Sequence, residues 1–439
     1  MKAISLIKRT GIRPAAVLLS LALLAVSAMI PGAGFVPKAD AATFSDISKH
    51  WAQSDILKAA EKGIVSGYSD GTFKPDKAVT RAEFTTMLNK ALGNNGTTDS
   101  VFSDVANGTW YFDQVCKGVS AGYISGYADG TFKPSNTITR LEASVMLARI
   151  VPTYGYADDI SKYKDGSSVP SWAQDSMKRI VGKGYLSTYG DNMLHGTDSL
   201  TRAQAVRVIM SMLDKEKIIS NNQTVVQNNV TLKSMIFVNR ISVGTAVGDG
   251  KVTLNDCMVL GTLNVEGGGK SPNGVIINDS RIANCLVNRS NQEVRVIAQG
   301  DSTVVRLTVG QIARLETYNL TGGSSFGKGF QTVNMTRAAD LTVSCDLDLL
   351  EIEAEKCDIT IAKGTTQRLI TYNSARKLDV NVAANATLNT ADIYSAGTVF
   401  SGTGTVGTLN VHGNGLTYEK APGTLSVDPE VTVLPVQVG

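Results

Sequence analysis

Three arginines each follow a threonine at the start of a predicted helix, where a positive charge is out of place. Arg81, Arg140 and Arg202 recur at nearly regular intervals. The helix dipole makes a cation at this end unfavourable by roughly 0.3–1 kcal/mol. A guanidinium beside free helix N-terminal amides is a good receptor for a carboxylate or phosphate. We therefore predict that these arginines bind an anionic ligand. The alternative is an ion pair with a carboxylate inside the protein, for example Asp46, Asp104 or Asp165.

The residues flanking each arginine predict how the helix begins. A threonine three residues before Glu or Gln forms a capping box, in which each side chain binds the other residue's backbone amide. The pattern occurs in all three copies: Thr80 with Glu83, Thr139 with Glu142 and Thr201 with Gln204. Apolar residues follow at helical spacing. We assign the threonines and their Glu or Gln partners to helix initiation.

These helix starts belong to an internal repeat that occurs three times. Phe-Ser-Asp at residues 44–46 recurs at 102–104 and, as Tyr-Lys-Asp, at 163–165. Gly-x-x-Ser-Gly-Tyr-x-Asp-Gly-Thr-Phe-Lys-Pro stands at 63–75 and at 122–134. Each unit predicts two helices joined by a loop. One tryptophan lies in each unit, and we expect all three in the core because Trp is heavily buried on average: Trp51, Trp110 and Trp172.

These motifs together resemble the S-layer homology family over residues 43–215. The resemblance implies a compact helical module with pseudo-threefold symmetry. It also implies non-covalent binding of secondary cell-wall polysaccharide, often carrying pyruvate ketals, in grooves between the repeats. The arginines would meet the negative charge of this polymer.

The resemblance also implies roles for other residues. Asp46 and Asp104 would accept hydrogen bonds from sugar hydroxyls, with capping of the first helix as the alternative. The groove lining would come from Tyr68 beside Gly67 and from Tyr127 beside Gly126. In the third copy Thr188 replaces the glycine, and the loop at 190–196 has a different sequence. We therefore expect the third groove to bind differently from the other two.

The first forty residues have the pattern of an export signal. A basic start precedes an apolar run at residues 14–30, and Ala39-Asp40-Ala41 fits the small-x-small cleavage pattern. The apolar run is shorter than the roughly 20 residues that span a bilayer. We predict a signal peptide at residues 1–41 and a mature protein outside the cytoplasm and free of the membrane. An uncleaved membrane anchor is the alternative.

The chain after about residue 220 has a different composition, with many Gly, Asn and Thr, and its apolar residues alternate with polar ones. Val-Thr-Leu-Asn-Asp at 252–256 is echoed by Val-Ile-Ile-Asn-Asp at 275–279, and Gly-Thr-Leu-Asn-Val occurs at 261–265 and 407–411. A period of about two dozen residues is typical of one coil of a parallel β-solenoid. A pair of β-sandwiches is the alternative.

Two features of this tail bear on chemistry. Strand alternation predicts that its acidic stretch faces solvent, while calcium binding and a catalytic pair with Lys363 or Arg368 are alternatives. The acids are Asp346, Asp348, Glu351, Glu353, Glu355 and Asp358. The chain's five cysteines are sparse and odd in number, so we predict buried thiols, with one bridge between coils as the alternative.

The sequence as a whole predicts a multidomain surface protein. It has 439 residues, 43% of them hydrophobic, and a net charge of +3, which gives no general attraction to nucleic acid. The segments are a signal peptide at 1–41, repeats at 42–95, 96–155 and 156–219, and a β-rich domain at 220–439.

We expect this protein to have no enzymatic activity and to use no cofactor or metal. It would anchor non-covalently to an anionic, in some cases pyruvylated, wall polysaccharide of a Gram-positive-type bacterium. It would display the β-rich domain at the surface, with self-association in a surface layer left open. The alternative is a wall-anchored β-helix polysaccharide lyase or hydrolase.

Overall fold

The computed structural model describes residues 44–99, 102–152, 155–187, 190–321 and 327–438, so the predicted signal peptide lies outside the described residues. None of the helices in these ranges is long and apolar enough to cross a membrane. Its α-helices are α1 Gln53–Glu61, α2 Arg81–Leu92, α3 Phe112–Ser120, α4 Arg140–Ala148, α5 Ser171–Gly182 and α6 Arg202–Lys215. Short 3-10 turns lie at Ile160–Lys162, Gly166–Ser168 and Thr245–Val247.

The predicted capping boxes begin the second helix of each repeat. Thr80, Thr139 and Thr201 each accept the amide of the residue three positions on, whose side chain binds the threonine amide in return. The second helix of each repeat packs on the first helix of the next, so α2 contacts α3, α4 contacts α5 and α6 returns to α1. This closed order explains why the three repeats share one core.

A ring of backbone hydrogen bonds lies at the centre of this helical module. The Val79 amide donates to the Leu200 carbonyl at 2.9 Å, Leu200 donates to Ile138 at 3.0 Å, and Ile138 donates to Val79 at 3.0 Å. All three side chains are fully buried. Each repeat contributes one residue, so the ring gives the module the pseudo-threefold arrangement that the resemblance implies.

The rest of the described chain is built of strands. They are β1 Lys217–Ile219, β2 Gln223–Val225, β3 Val230–Lys233, β4 Met235–Phe237, β5 Arg240–Val243, β6 Lys251–Asn255, β7 Met258–Val265, β8 Gly274–Asn278, β9 Arg281–Val287, β10 Val294–Gly300, β11 Thr303–Val309, β12 Ala313–Leu320, β13 Gly329–Met335, β14 Asp340–Ser344, β15 Leu347–Ile352, β16 Asp358–Thr371, β17 Asp379–Val382, β18 Ala386–Ile393, β19 Val399–Ser401, β20 Thr405–Val411, β21 Thr417–Tyr418, β22 Thr424–Val427 and β23 Val436–Gln437.

These strands form a parallel β-solenoid, as predicted. Asn255 pairs with Asn278, so the two echoed segments lie one coil apart. Inward-facing residues stack into buried columns, one of which runs through Leu263, Cys285 and Leu307. The β-sandwich alternative is wrong, because the strands pair in parallel from coil to coil.

The acidic stretch and the cysteines lie where strand alternation predicts. Asp346 and Asp348 are exposed, whereas Cys345 before them and Leu347 between them are buried. All five cysteines are buried and unpaired, so the disulfide alternative is wrong. No group of three or more His, Cys, Asp or Glu in the described ranges is arranged to hold a metal ion.

The helical module and the first coils of the solenoid share a hydrophobic core. Four apolar side chains of the first coils pack in the core of the helical module and not in the solenoid interior. They are those of Ile236, Val238, Met258 and Leu260. Polar contacts reinforce this junction: Arg179 pairs with Asp301, and Asn284 Nδ2 donates to the Ser120 carbonyl at 3.1 Å. A helical module without these coils would expose that apolar surface, so experiments on this protein need the helical module and the solenoid together.

Grooves between the repeats as the candidate functional site

Each arginine at a helix start reaches across to the loop of the next repeat. The three arginine residues are almost fully buried. Their Nε atoms donate to backbone carbonyls at 2.8 Å from Arg81 to Phe132, 2.8 Å from Arg140 to Leu194 and 3.0 Å from Arg202 to Phe73. The last contact returns from the third repeat to the first. The arginines therefore act as latches that close the ring of repeats.

The helix N-terminal amides are not free for an anion, and that part of our prediction is wrong. The Arg81 amide donates to the Asn136 carbonyl at 2.8 Å, and the Ala82 amide donates to the Pro134 carbonyl at 3.1 Å. The amide of Glu83 is bound by the Thr80 side chain. The first two amides of α4 and of α6 likewise donate to loop carbonyls of the next repeat. The next repeat thus occupies the donors that an anion would need.

The aspartates of the first motif hold the loop of their own repeat. The Asp46 carboxylate accepts the amides of Phe73 and Lys74 at 2.9 and 2.8 Å. Burial opposes ionisation of Asp46, but these amide donors lower its pKa below the usual value. Asp104 and Asp165 make the same pair of contacts in their repeats.

This arrangement separates the alternatives. The aspartates do not pair with the arginines, and Asp46 and Asp104 do not cap the first helices of their repeats, since the residues before α1 and α3 make no side-chain cap. An internal ion pair does form at Arg81, whose Nη1 lies 3.3 Å from the Glu142 carboxylate. Acceptance of sugar hydroxyls by Asp46 and Asp104 stays a prediction.

The third loop keeps the conformation of the other two although its sequence differs. Lys74, Lys133 and His195 all have the left-handed backbone that is rare for residues with a side chain, with φ of 57°, 56° and 51°. The Asp165 carboxylate accepts backbone amides of the third loop as the Asp46 carboxylate does in the first. The described part of the third loop, residues 190–196, therefore gives no backbone reason for the third groove to differ, whereas Thr188, on which that prediction rests, lies outside the described residues.

The glycine before each predicted groove tyrosine is required by packing. A Cβ on Gly67 would lie 2.4 Å from the ring of Phe44, and one on Gly126 would lie 2.4 Å from the ring of Phe102. The backbone carbonyls of the loops are nearly as close. These glycines let the phenylalanine of the first motif pack beneath the loop, and their role in ligand binding stays a prediction.

The tyrosine that follows each glycine lies against an arginine latch. The Arg81 guanidinium is 4.8 Å from the ring centre of Tyr127, and Arg202 is 5.1 Å from that of Tyr68. The Tyr127 hydroxyl donates to Glu142, whose carboxylate is also 3.3 Å from Arg81 Nη1. Burial and this hydrogen bond raise the pKa of Tyr127 to about 12. The hydroxyl therefore stays protonated and holds the ring at the groove.

Two of the cavities that the described residues form lie between the repeats, and each is lined by residues of all three repeats. The first, of about 490 Å³, is lined by Arg81 of the first repeat, Tyr127, Glu142 and Arg149 of the second and Trp172 of the third. The second, of about 270 Å³, is lined by Arg140 of the second repeat, Ser187 and Gln204 of the third and Trp51 of the first. Both cavities contain an arginine from a helix start, the Glu or Gln of a capping box, and a tryptophan. We call the first the larger groove and the second the smaller groove.

The tryptophans are exposed, and our prediction that they lie in the core is wrong. Their exposed fractions are 63% for Trp51, 64% for Trp110 and 50% for Trp172. The buried stripe of α1 contains Ile56 and Ala59 and begins at Ala52, one residue after the tryptophan. That offset is visible in the sequence and is the signal that would have placed the tryptophans outside.

The described part of the chain is thus a ring of three repeats with grooves, joined to a solenoid. The family model for the S-layer homology domain matches residues 43–85, 101–144 and 162–206. The three repeats are therefore S-layer homology domains, as the resemblance predicted.

Known proteins resemble this chain over the repeats. It is 33% identical over 186 residues to the exoglucanase XynX of Acetivibrio thermocellus, covering 41% of this chain and 17% of that protein. It is 30% identical over 165 residues to the cellulosome-anchoring protein of the same species, covering 35% and 36%. It is 30% identical over 162 residues to the surface-layer 125 kDa protein of Lysinibacillus sphaericus, covering 36% and 14%. The match spans less than two fifths of each relative's length.

Proposed function

We propose that this protein is a non-covalent anchor, which binds an anionic polysaccharide of the cell wall through its three repeats and displays the solenoid at the cell surface. The main support is the larger groove, where Arg81, Tyr127 and the exposed ring of Trp172 come together from three repeats. Relatives that share the repeats include a surface-layer protein and a cellulosome-anchoring protein. Binding of a pyruvylated polymer and self-association in a surface layer belong to the same proposal.

The tryptophans and the arginines of the grooves contribute different interactions to binding. An exposed tryptophan offers an apolar face to a sugar ring, and the arginines supply positive charge to a carboxylate of the polymer. Because Arg81 Nε already holds the Phe132 carbonyl, the same side chain shapes the groove and meets the ligand. We propose that Arg140 and Arg202 act in the same way, with Tyr68 and Tyr127 as the walls beside them.

The test is sedimentation of the mature chain, residues 42–439, with purified wall sacculi. We expect the protein to pellet with native sacculi and to stay in the supernatant with sacculi stripped of polysaccharide. Equal pelleting with both preparations would mean that the repeats bind peptidoglycan or bind nonspecifically. No pelleting with either would refute the anchor function.

The third repeat carries a charge difference that gives a sharper prediction. Gln204 lies where the other repeats have Glu83 and Glu142, and it lines the smaller groove beside Arg140 and Arg207. Gln204→Glu would add a negative charge there while keeping the capping box. We expect it to weaken binding of the anionic polymer about threefold, which corresponds to roughly 0.7 kcal/mol.

The control for this substitution is Gln437→Glu, which makes the same charge change at an exposed position in β23. Binding is measured as the concentration for half-maximal pelleting at low and at high salt. Screening should reduce the difference between Gln204→Glu and wild type at high salt. Equal binding of the two variants would show that the smaller groove does not meet the polymer's charge.

A further inference from the structure

Two arginines come close together where the helical module packs on the solenoid. Arg281, at the start of β9, places its guanidinium against Gly122 of the second repeat, where an added Cβ would lie 2.9 Å from Nη1. Arg149, which follows α4, donates from Nη1 to the Ser125 hydroxyl at 2.8 Å and to the Tyr123 carbonyl at 3.5 Å. Both side chains therefore reach one short segment of the second repeat, one from each part of the chain.

Arg281 carries a charge that no carboxylate of the described residues balances. It makes no ion pair and no side-chain hydrogen bond within the described ranges, and its Nε atom is buried. Burial, and then the positive charge of Arg149, lower the pKa of Arg281 to about 9, so the group is still charged at neutral pH. Like charges at a partly buried junction repel each other, so this contact makes the packed arrangement less favourable.

The positive charge of Arg281 acts on the larger groove. Arg149 and Ser125 both line that groove, and so does Arg81. The Glu142 carboxylate in the same lining is already 3.3 Å from Arg81 Nη1. Arg281 therefore adds positive potential, from the solenoid side, to a groove whose own carboxylate is paired. A potential acts over distance, so Arg281 affects an anion in the groove without touching it.

We propose that Arg281 is a positioning residue through which the solenoid strengthens anion binding in the larger groove. Its charge raises the affinity of the groove for a carboxylate of the polymer, and the bound carboxylate offsets the repulsion between Arg281 and Arg149. Anion binding and packing of the two parts then favour each other by the same factor. This inference rests on the anchor function proposed above and gives the solenoid a part in binding.

The first experiment varies the charge at this position in the mature chain, residues 42–439. Arg281→Lys keeps the charge, Arg281→Met removes it and Arg281→Glu reverses it. We expect the concentration for half-maximal pelleting with native sacculi to stay within about twofold of wild type, to rise about threefold and to rise about tenfold, respectively. The free energy of unfolding in urea should stay equal or rise in the same order, because a repulsion is removed.

A purely structural role of Arg281 predicts a different pattern. Arg281→Met would then lose affinity and stability together, and Arg281→Lys would not restore them. That result would overturn the proposal. The control is Arg337→Met, which makes the same charge change at an exposed position of the solenoid and should match wild type in both measurements.

A soluble probe distinguishes failure of this proposal from failure of the anchor function. D-Glucuronate is compared with chloride at equal ionic strength, and the change in Tm is measured without sacculi. We expect its stabilising effect to be about twice as large in wild type as in Arg281→Met, because the probe offsets a repulsion that the variant lacks. Absence of pelleting by wild type would refute the anchor function. Equal Tm gains in wild type and Arg281→Met would show that Arg281 does not act on an anion in the groove, whatever the sacculi show.

Discussion

Replacing Arg202 by methionine is expected to lower the free energy of unfolding of the mature chain by about 3 kcal/mol. The Arg202 guanidinium donates to the carbonyls of Phe73 and Ser66, both at 3.0 Å, and stacks 4.5 Å from the ring centre of Phe73. Methionine keeps most of the apolar stem but leaves both carbonyls without this donor. Because these contacts join the third repeat to the first, their loss opens the ring of repeats.

Arg207→Met on the same helix is the matched control. The Arg207 side chain is 61% exposed and pairs with Asp55 at 2.8 Å, and exposed ion pairs contribute roughly 0–1 kcal/mol. Both variants are unfolded in urea and followed by tryptophan fluorescence, which reports on the helical module because all three tryptophans lie there. If the two midpoints shift equally, Arg202 is not a latch and the closed ring does not depend on it.

Replacing Trp51, Trp110 and Trp172 together by alanine is expected to abolish pelleting with wall sacculi. Truncation of a tryptophan at the centre of a binding site commonly costs about 2 kcal/mol or more, which corresponds to about 30-fold in affinity for a single site. These side chains are at least half exposed, so we expect little loss of stability from the same change. Binding and folding should therefore separate in this variant.

The sacculus assay for this variant is run beside a thermal unfolding curve. Leu434→Ala, at a solenoid residue that is 64% exposed, is the control for general loss of apolar surface. It should pellet like wild type. Full pelleting of the tryptophan variant would show that the polymer does not contact these rings, and the arginine and tyrosine side of the grooves would then carry the binding.

The sequence predicted those parts of the fold that depend on neighbouring residues. The capping boxes join residues three positions apart, so Thr80 and Glu83 suffice to indicate where α2 begins. The coil period was visible because each coil repeats the inward-facing pattern of the one before, as the paired and buried Leu254 and Ile277 show. Alternation of polar and apolar residues likewise indicated that Asp346 and Asp348 face solvent.

The tertiary structure alone decided what the arginines do. Arg81 binds a carbonyl 51 residues away and Arg202 binds one 129 residues away, and no local pattern identifies such partners. A misplaced charge at a helix start indicated an unusual role, but the loop of the next repeat supplies both its acceptor and the cap for the amides. The sequence thus determined the repeats, their helices and the coils, because those depend on local spacing. The closed order of the repeats decided the latches and the grooves, because each combines residues that meet only when the ring is complete.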